Sequence, residues 1–299
     1  MRVCVTILAV LVLISSVALG QADSDNEIES DGIDKRICIT FDGLPLDRTF
    51  TESDRRLITA EVLAVLDEHE AKAAGFVVGE YIEDSYDLLG EWLNRGHVLG
   101  NLTYSHQDLH QIGAQNFIRE IKLGAEALET MLSGFGQKKR YFRYPYLHYG
   151  TNVADKRDVR MYLVERDYVV AHATVVVEDY LYNLTLEKLG DKADSSRYLE
   201  LMSEYLNHVL EQVEKAQAQS IQLLGRNCNH ILQLRLNRLN AAFLNDMLIA
   251  LETLGYEFIS LDEALKDEVF TMPEAYFDSR GVSYLEMIYR SDPDLLPAQ

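Results

Sequence analysis

The sequence is short of positive charge, of cysteine and of long apolar runs. It has 28 Lys and Arg against 48 Asp and Glu, a formal net charge of −20. Nucleic acid and anionic membrane surfaces attract clustered positive charge, so neither is expected as the main partner. Three cysteines allow at most one internal disulfide. The only long apolar run, 5–17, falls short of the ~20 residues that cross a bilayer. No Pro-, Gly- or Ser-rich linker divides the chain beyond that run, so one main domain is expected. Apolar residues make up 47% of the chain, enough for a sizeable core.

The start reads as a signal peptide. Arg2 supplies charge, the apolar run comes next, and Ala18-Leu19-Gly20 offers small residues for cleavage. An exported, periplasmic or secreted chain is expected, with 1–20 removed and no membrane span afterwards; an uncleaved anchor is the rival reading. Cys4 leaves with the signal. Cys38 and Cys228 remain, either as one disulfide or as two buried thiols. Residues 21–34 are polar and acidic, a composition that favours a disordered leader.

From Arg36 the pattern changes. Ile37-Cys38-Ile39-Thr40-Phe41 is short and nearly all apolar, as in a strand buried on both faces. Strands are expected at 73–78, 97–101, 141–143, 168–170, 174–177, 231–236 and 258–261. Helical spacing of apolar residues places helices at 55–69, 81–94, 117–132, 155–166, 196–223 and 241–254. Alternating strands and helices imply a mainly parallel sheet covered by helices, in number suited to an α/β barrel. Such barrels carry reactive residues at the C-terminal ends of strands. The places to look are therefore Asp42, the segment after Gly100, Arg143, the segment after Val177, and Arg235.

These strand ends resemble the motifs of the polysaccharide-deacetylase family, also called the NodB-homology or carbohydrate esterase 4 family. The resemblance runs over about 36–265 and includes Phe142-Arg143-Tyr144-Pro145-Tyr146-Leu147-His148. It implies a distorted (β/α) barrel over 35–265; the remaining tail, 266–299, is expected to pack on that barrel. It also implies N-deacetylation of sugars by a divalent metal, often zinc, held by one Asp and two His. An Asp would act as general base and a His as general acid.

Asp42 of Thr40-Phe41-Asp42-Gly43 matches the base, and Gly43 stands where the metal-binding Asp is expected. Leu102 replaces the first ligand His of a His-x-x-x-His motif, and His106 matches the second. His110, four residues further on, is expected to lie past the pocket. Arg143 matches the residue that orients the base, and the Tyr146 backbone the oxyanion donor. Val176 and Tyr180 replace a pocket Asp and Trp, while Asp179 keeps its place. Arg235 stands at the acid His, and arginine cannot shuttle a proton; it remains a fixed charge for Asp42 or an anionic ligand. Tyr104, Tyr144, Pro145, Tyr146, His148, Tyr149, Asp179 and Tyr180 are candidates to line a sugar pocket. A site reduced to one His is a poor metal site. Three functions are compatible with this pattern: a degenerate deacetylase that still binds a glycan, a working hydrolase with substitute ligands such as Asp179, His148 or His110, and a scaffold that ignores the pocket.

Overall fold

In the computed structural model, residues 33–190 and 195–291 are described. The expected signal and most of the acidic leader lie outside them. Eight strands alternate with helices: β1 (Arg36–Leu44), α1 (Glu52–Glu68), β2 (Ala74–Val77), α2 (Tyr86–Asn94), β3 (Val98–Asn101), α3 (Leu109–Gly134), β4 (Arg140–Phe142), α4 (Val153–Glu165), β5 (Tyr168–Val170), β6 (Val175–Val176), α5 (Asp179–Leu189), α6 (Ser195–Leu224), β7 (His230–Arg235), α7 (Arg238–Thr253), β8 (Glu257–Phe258), α8 (Leu261–Ala264) and α9 (Tyr284–Ser291). The strand order is β5-β4-β3-β2-β1-β7-β6, and every pair is parallel. β8 joins the start of β1. The result is a curled sheet of the expected barrel type, in which β5 and β6 are the two unjoined edges.

The two-residue period of a strand sorts its side chains between two cores. On β1, Ile37, Ile39 and Phe41 pack under the helices. Cys38 points to the opposite, inner face, where it meets Ala74, Phe76, Tyr141 and Ile231. That inner face becomes polar towards the strand ends: Cys38 gives way to Thr40 and Asp42, Ile231 to Gln233 and Arg235, and Tyr141 to Arg143. The candidate site is thus the top layer of the barrel interior. Both cysteines are buried free thiols.

Some element limits differ from expectation. Residues 79–85 form two short 3-10 turns ahead of α2. α3 starts eight residues early, where Asp108 accepts a hydrogen bond from His110 N–H, and it breaks at Gly113. α5 was not expected at all. Its Tyr182, Leu186 and Leu189 pack against the core, but Tyr180, Leu181 and Leu184 are exposed, so apolar residues fall on both faces and blur the helical spacing. Residues 266–291 run across the open edges of the sheet. Tyr284 N–H donates to Ala173 O at 2.7 Å, and the Tyr284 ring stacks on His172. Gly281 lies so close to the 145–147 turn that a Cβ there would sit 2.0 Å from Tyr146 O.

Candidate functional site

Asp42 ends the inner face of β1 and is mostly buried. Its Oδ1 accepts from Arg143 Nη1 at 3.0 Å and its Oδ2 accepts from Gln233 Nε2. Arg143 is wholly buried. Its Nη1 also donates to Thr40 Oγ1 at 2.6 Å, its Nε donates to Ala171 O at 3.0 Å, and its guanidinium lies 4.2 Å from the Phe76 ring centre. A buried carboxylate is tolerable only when paired and hydrogen-bonded, and this one is both. Thr40 and Gln233 escaped the sequence reading. They sit two residues before Asp42 and Arg235 on the same strand faces, which was the available signal.

The positions that resemblance assigns to metal ligands look different. Gly43 has φ +84 and a Cβ there would meet nothing within 4 Å, so the place is open but the backbone is one that L side chains rarely adopt. Leu102 is completely buried among Phe76, Val78, Tyr141 and Ala171. His106 is partly buried and meets the Tyr146 ring edge-on at 4.7 Å. Burial holds its pKa below the ordinary value; Asp42 works against that lowering and Arg235 adds to it. One imidazole beside a glycine and a buried leucine does not make the Asp-His-His set that the resemblance implies, so these three positions do not fit the metal.

A second group lies at the rim. Asp108, His110 and His148 bring ligand-type atoms within 4.8 Å of one another. His148 Nδ1 is 2.9 Å from Asp108 Oδ1, and the rings of His110 and His148 stack at 4.1 Å, 9° from parallel. His110 was expected past the pocket; instead it packs on His148. Its Nε2 accepts from Gly150 N–H at 3.2 Å, which assigns the proton to Nδ1, 4.0 Å from Asp108. A metal-bound imidazole donates its second N–H outwards, and here that nitrogen faces a donor. Stacked rings also cannot both aim in-plane lone pairs at one ion. To hold a metal, both rings must turn. Asp108 escaped the sequence reading because the α3 start was placed too late.

Other candidates are redistributed. Asp179 was expected to line the pocket, but it is completely buried. It accepts from Arg235 Nη1 at 2.7 Å, from Arg235 N–H at 2.6 Å and from Asn240 Nδ2 at 2.7 Å, so it is closed to a ligand. Arg235 therefore pairs with Asp179 rather than Asp42. Its guanidinium lies 5.0 Å from the Tyr180 ring centre. Pro145, Tyr144 and Tyr149 are buried and belong to the wall, the two tyrosine rings packing with their centres 4.6 Å apart. Tyr146 and Tyr180 are exposed at 49% and 44%, which leaves their rings open to solvent. Tyr104 is half-buried beside Gly79. Among the described residues, five of the seven non-glycine positions with positive φ, namely Leu46, Thr103, His106, Tyr146 and Leu147, fall at these strand ends. Such backbone persists where surrounding structure over-determines it, commonly at functional sites.

The polysaccharide-deacetylase family model matches residues 29–162. Over that stretch, a little under half of its length, the chain is similar to the polysaccharide-deacetylase domain. It is 32% identical over 98 residues to a peptidoglycan-N-acetylglucosamine deacetylase of Bacillus cereus, covering 33% of this chain and 34% of that protein. It is 33% identical over 115 residues to a chitooligosaccharide deacetylase of Rhizobium leguminosarum bv. trifolii, covering 38% and 46%. These matches span less than half of the relatives' lengths. In fold it is similar to a polysaccharide deacetylase from Bacillus cereus, with TM-score 0.54 and 21% identity, covering 76% of this chain and 91% of that one. It is also similar to a CE4 family pseudoenzyme from Bacillus anthracis, with TM-score 0.53 and 13% identity, covering 78% and 66%. At the strand ends, Asp42 is bonded to Arg143 and is the register partner of Arg235, and both Asp42 and Arg235 act on His106.

Proposed function

We propose that this chain is an exported deacetylase-fold protein that binds an N-acetylated glycan at the strand ends without hydrolysing it. One observation carries the reading: Leu102, at a ligand position, is sealed into the apolar interior, while Gly43 offers no donor at another. Arg235 cannot act as the acid because it keeps its proton. The remaining groups are suited to recognition. Tyr146 and Tyr180 present exposed rings, and Asp42 is held in place from below by buried Arg143. Export rests on the charged, apolar and small-residue order of the first 20 residues. The similar pseudoenzyme fold supplies a precedent, and the deacetylases supply the ligand class.

The test is titration calorimetry with a linear oligomer of N-acetylglucosamine, beside an acetate-release assay in the presence of zinc. Saturable binding with acetate release at the buffer rate is expected. Acetate release abolished by His106→Ala would replace this reading with a working hydrolase. Absence of binding would replace it with the scaffold reading, for which α4 offers exposed Val153, Met161 and Val164 beside Phe277.

A second reading, hydrolysis with substitute ligands, is favoured by the proximity of Asp108, His110 and His148. The Gly150 hydrogen bond and the ring stacking weigh against it.

A further inference from the structure

Arg235 bears on which sugar the pocket selects. It is the register partner of Asp42 across β1 and β7, so its side chain leaves the sheet on the same face. Nη1 is anchored on Asp179, and Tyr180 lies against the guanidinium. The guanidinium is thereby fixed in orientation while the side chain stays 40% exposed. Among the described residues, Nε and Nη2 have no hydrogen-bond partner. These two N–H bonds run parallel and form the edge that receives both oxygens of a carboxylate at once. Arg36 uses this same edge on Asp34, with Nε on Oδ1 at 2.8 Å and Nη2 on Oδ2.

The surrounding charges leave that edge available. Asp42 is occupied by Arg143 and Gln233, and Asp179 turns its oxygens to Nη1, Arg235 N–H and Asn240. Glu178, next in sequence to Asp179, is engaged with His208 Nε2 at 3.0 Å. A histidine here would have offered a charge that comes and goes with pH and no parallel pair of donors. Arginine offers two permanent donors.

We infer that Arg235 receives a carboxylate, so that the pocket selects an acidic N-acetylated sugar over a neutral one. The inference rests on the glycan-binding reading and adds a ligand class to it. Binding should therefore weaken with salt, as charge-assisted contacts at a partly exposed site do.

The experiment uses one disaccharide, N-acetylglucosamine linked to N-acetylmuramic acid, as the free acid and as its methyl ester. The two differ only in the carboxylate. Calorimetry on the full chain should show the acid binding about tenfold or more tightly than the ester. Arg235→Gln should close that gap, and Arg235→Lys should recover only a small part of it. Arg235→Gln leaves Asp179 buried without its cation, so Arg235→Gln/Asp179→Asn is measured as well, with a melting curve to establish folding. The gap should be absent there too. Equal affinity for acid and ester in the unmodified chain would overturn the carboxylate inference while leaving glycan binding intact. A gap that persists in the folded double variant would also overturn it. Failure of both ligands to bind would overturn the glycan reading itself.

Discussion

The wall of the pocket formed by β1, β4 and β7 and the wall formed by Gly43 and the 102–106 turn differ in how their positions are used. On the first, Asp42, Thr40, Arg143 and Gln233 form one continuous buried network. On the second, one position has no side chain, one is filled by buried Leu102, and His106 meets an aromatic ring. The difference has a physical reason. Arg143 ties β1 to Ala171 beyond β5 and fills the interior over Phe76, so its loss is a folding defect as well as a functional one. Metal ligands contribute little to the fold of a large barrel, and their replacement by a leucine adds apolar burial. A pocket freed from its chemistry would keep the first set and lose the second.

The comparison breaks most sharply at Arg143. Arg143→Met should leave Asp42 buried without its cation and cost about 3–5 kcal/mol, read by urea unfolding. A cost below about 1 kcal/mol would mean that the first wall is not structural. Next in size is the contrast between the mouth and the floor of the barrel. His230 and His97 are buried near strand starts, and burial depresses each from 6.5 to about 4. The folded state holds them neutral, so their contribution is complete above pH 6.5 and is lost as pH falls towards 4. Stability at pH 4.5 should be lower than at pH 7 by about 2 kcal/mol for each. Flat stability over that range would contradict it.

Smaller again is Leu102→His. An imidazole in this apolar cluster should cost roughly 2 kcal/mol, and added zinc should not raise the melting temperature. A zinc-dependent rise would show that the second wall can be restored by one side chain. The smallest effect is expected at Asp108→Ala, about 1 kcal/mol, because it removes the cap of α3 and the partner of His148.

Much of this was legible in the sequence because strand period and helical spacing are local. The alternation of Ile37, Ile39 and Phe41 with Cys38 and Thr40 predicts which side chains face the helices and which the interior. The top layer came with it, since Asp42, Arg143 and Arg235 continue inner-face positions. The side chains' partners were not legible. Arg235 was assigned to Asp42 or a ligand; its Nη1 turns to Asp179 in place of Asp42, and Asp179 looked like a pocket residue until its burial was known. α5 escaped because its apolar residues fall on both faces, and Asp108 escaped because a single acid before Leu109 marks a helix start only if the helix begins there. Contacts between segments far apart in sequence carry no local period.

The central claim is that the strand-end site works without a metal. Its most direct test is the metal content of the purified chain after equilibration with zinc and removal of loosely held ions. The account predicts no retained ion. About one ion per chain, lost on His106→Ala, would contradict it and point to a live hydrolase; one ion lost on His148→Ala would contradict it as well and place the metal with Asp108 and His110.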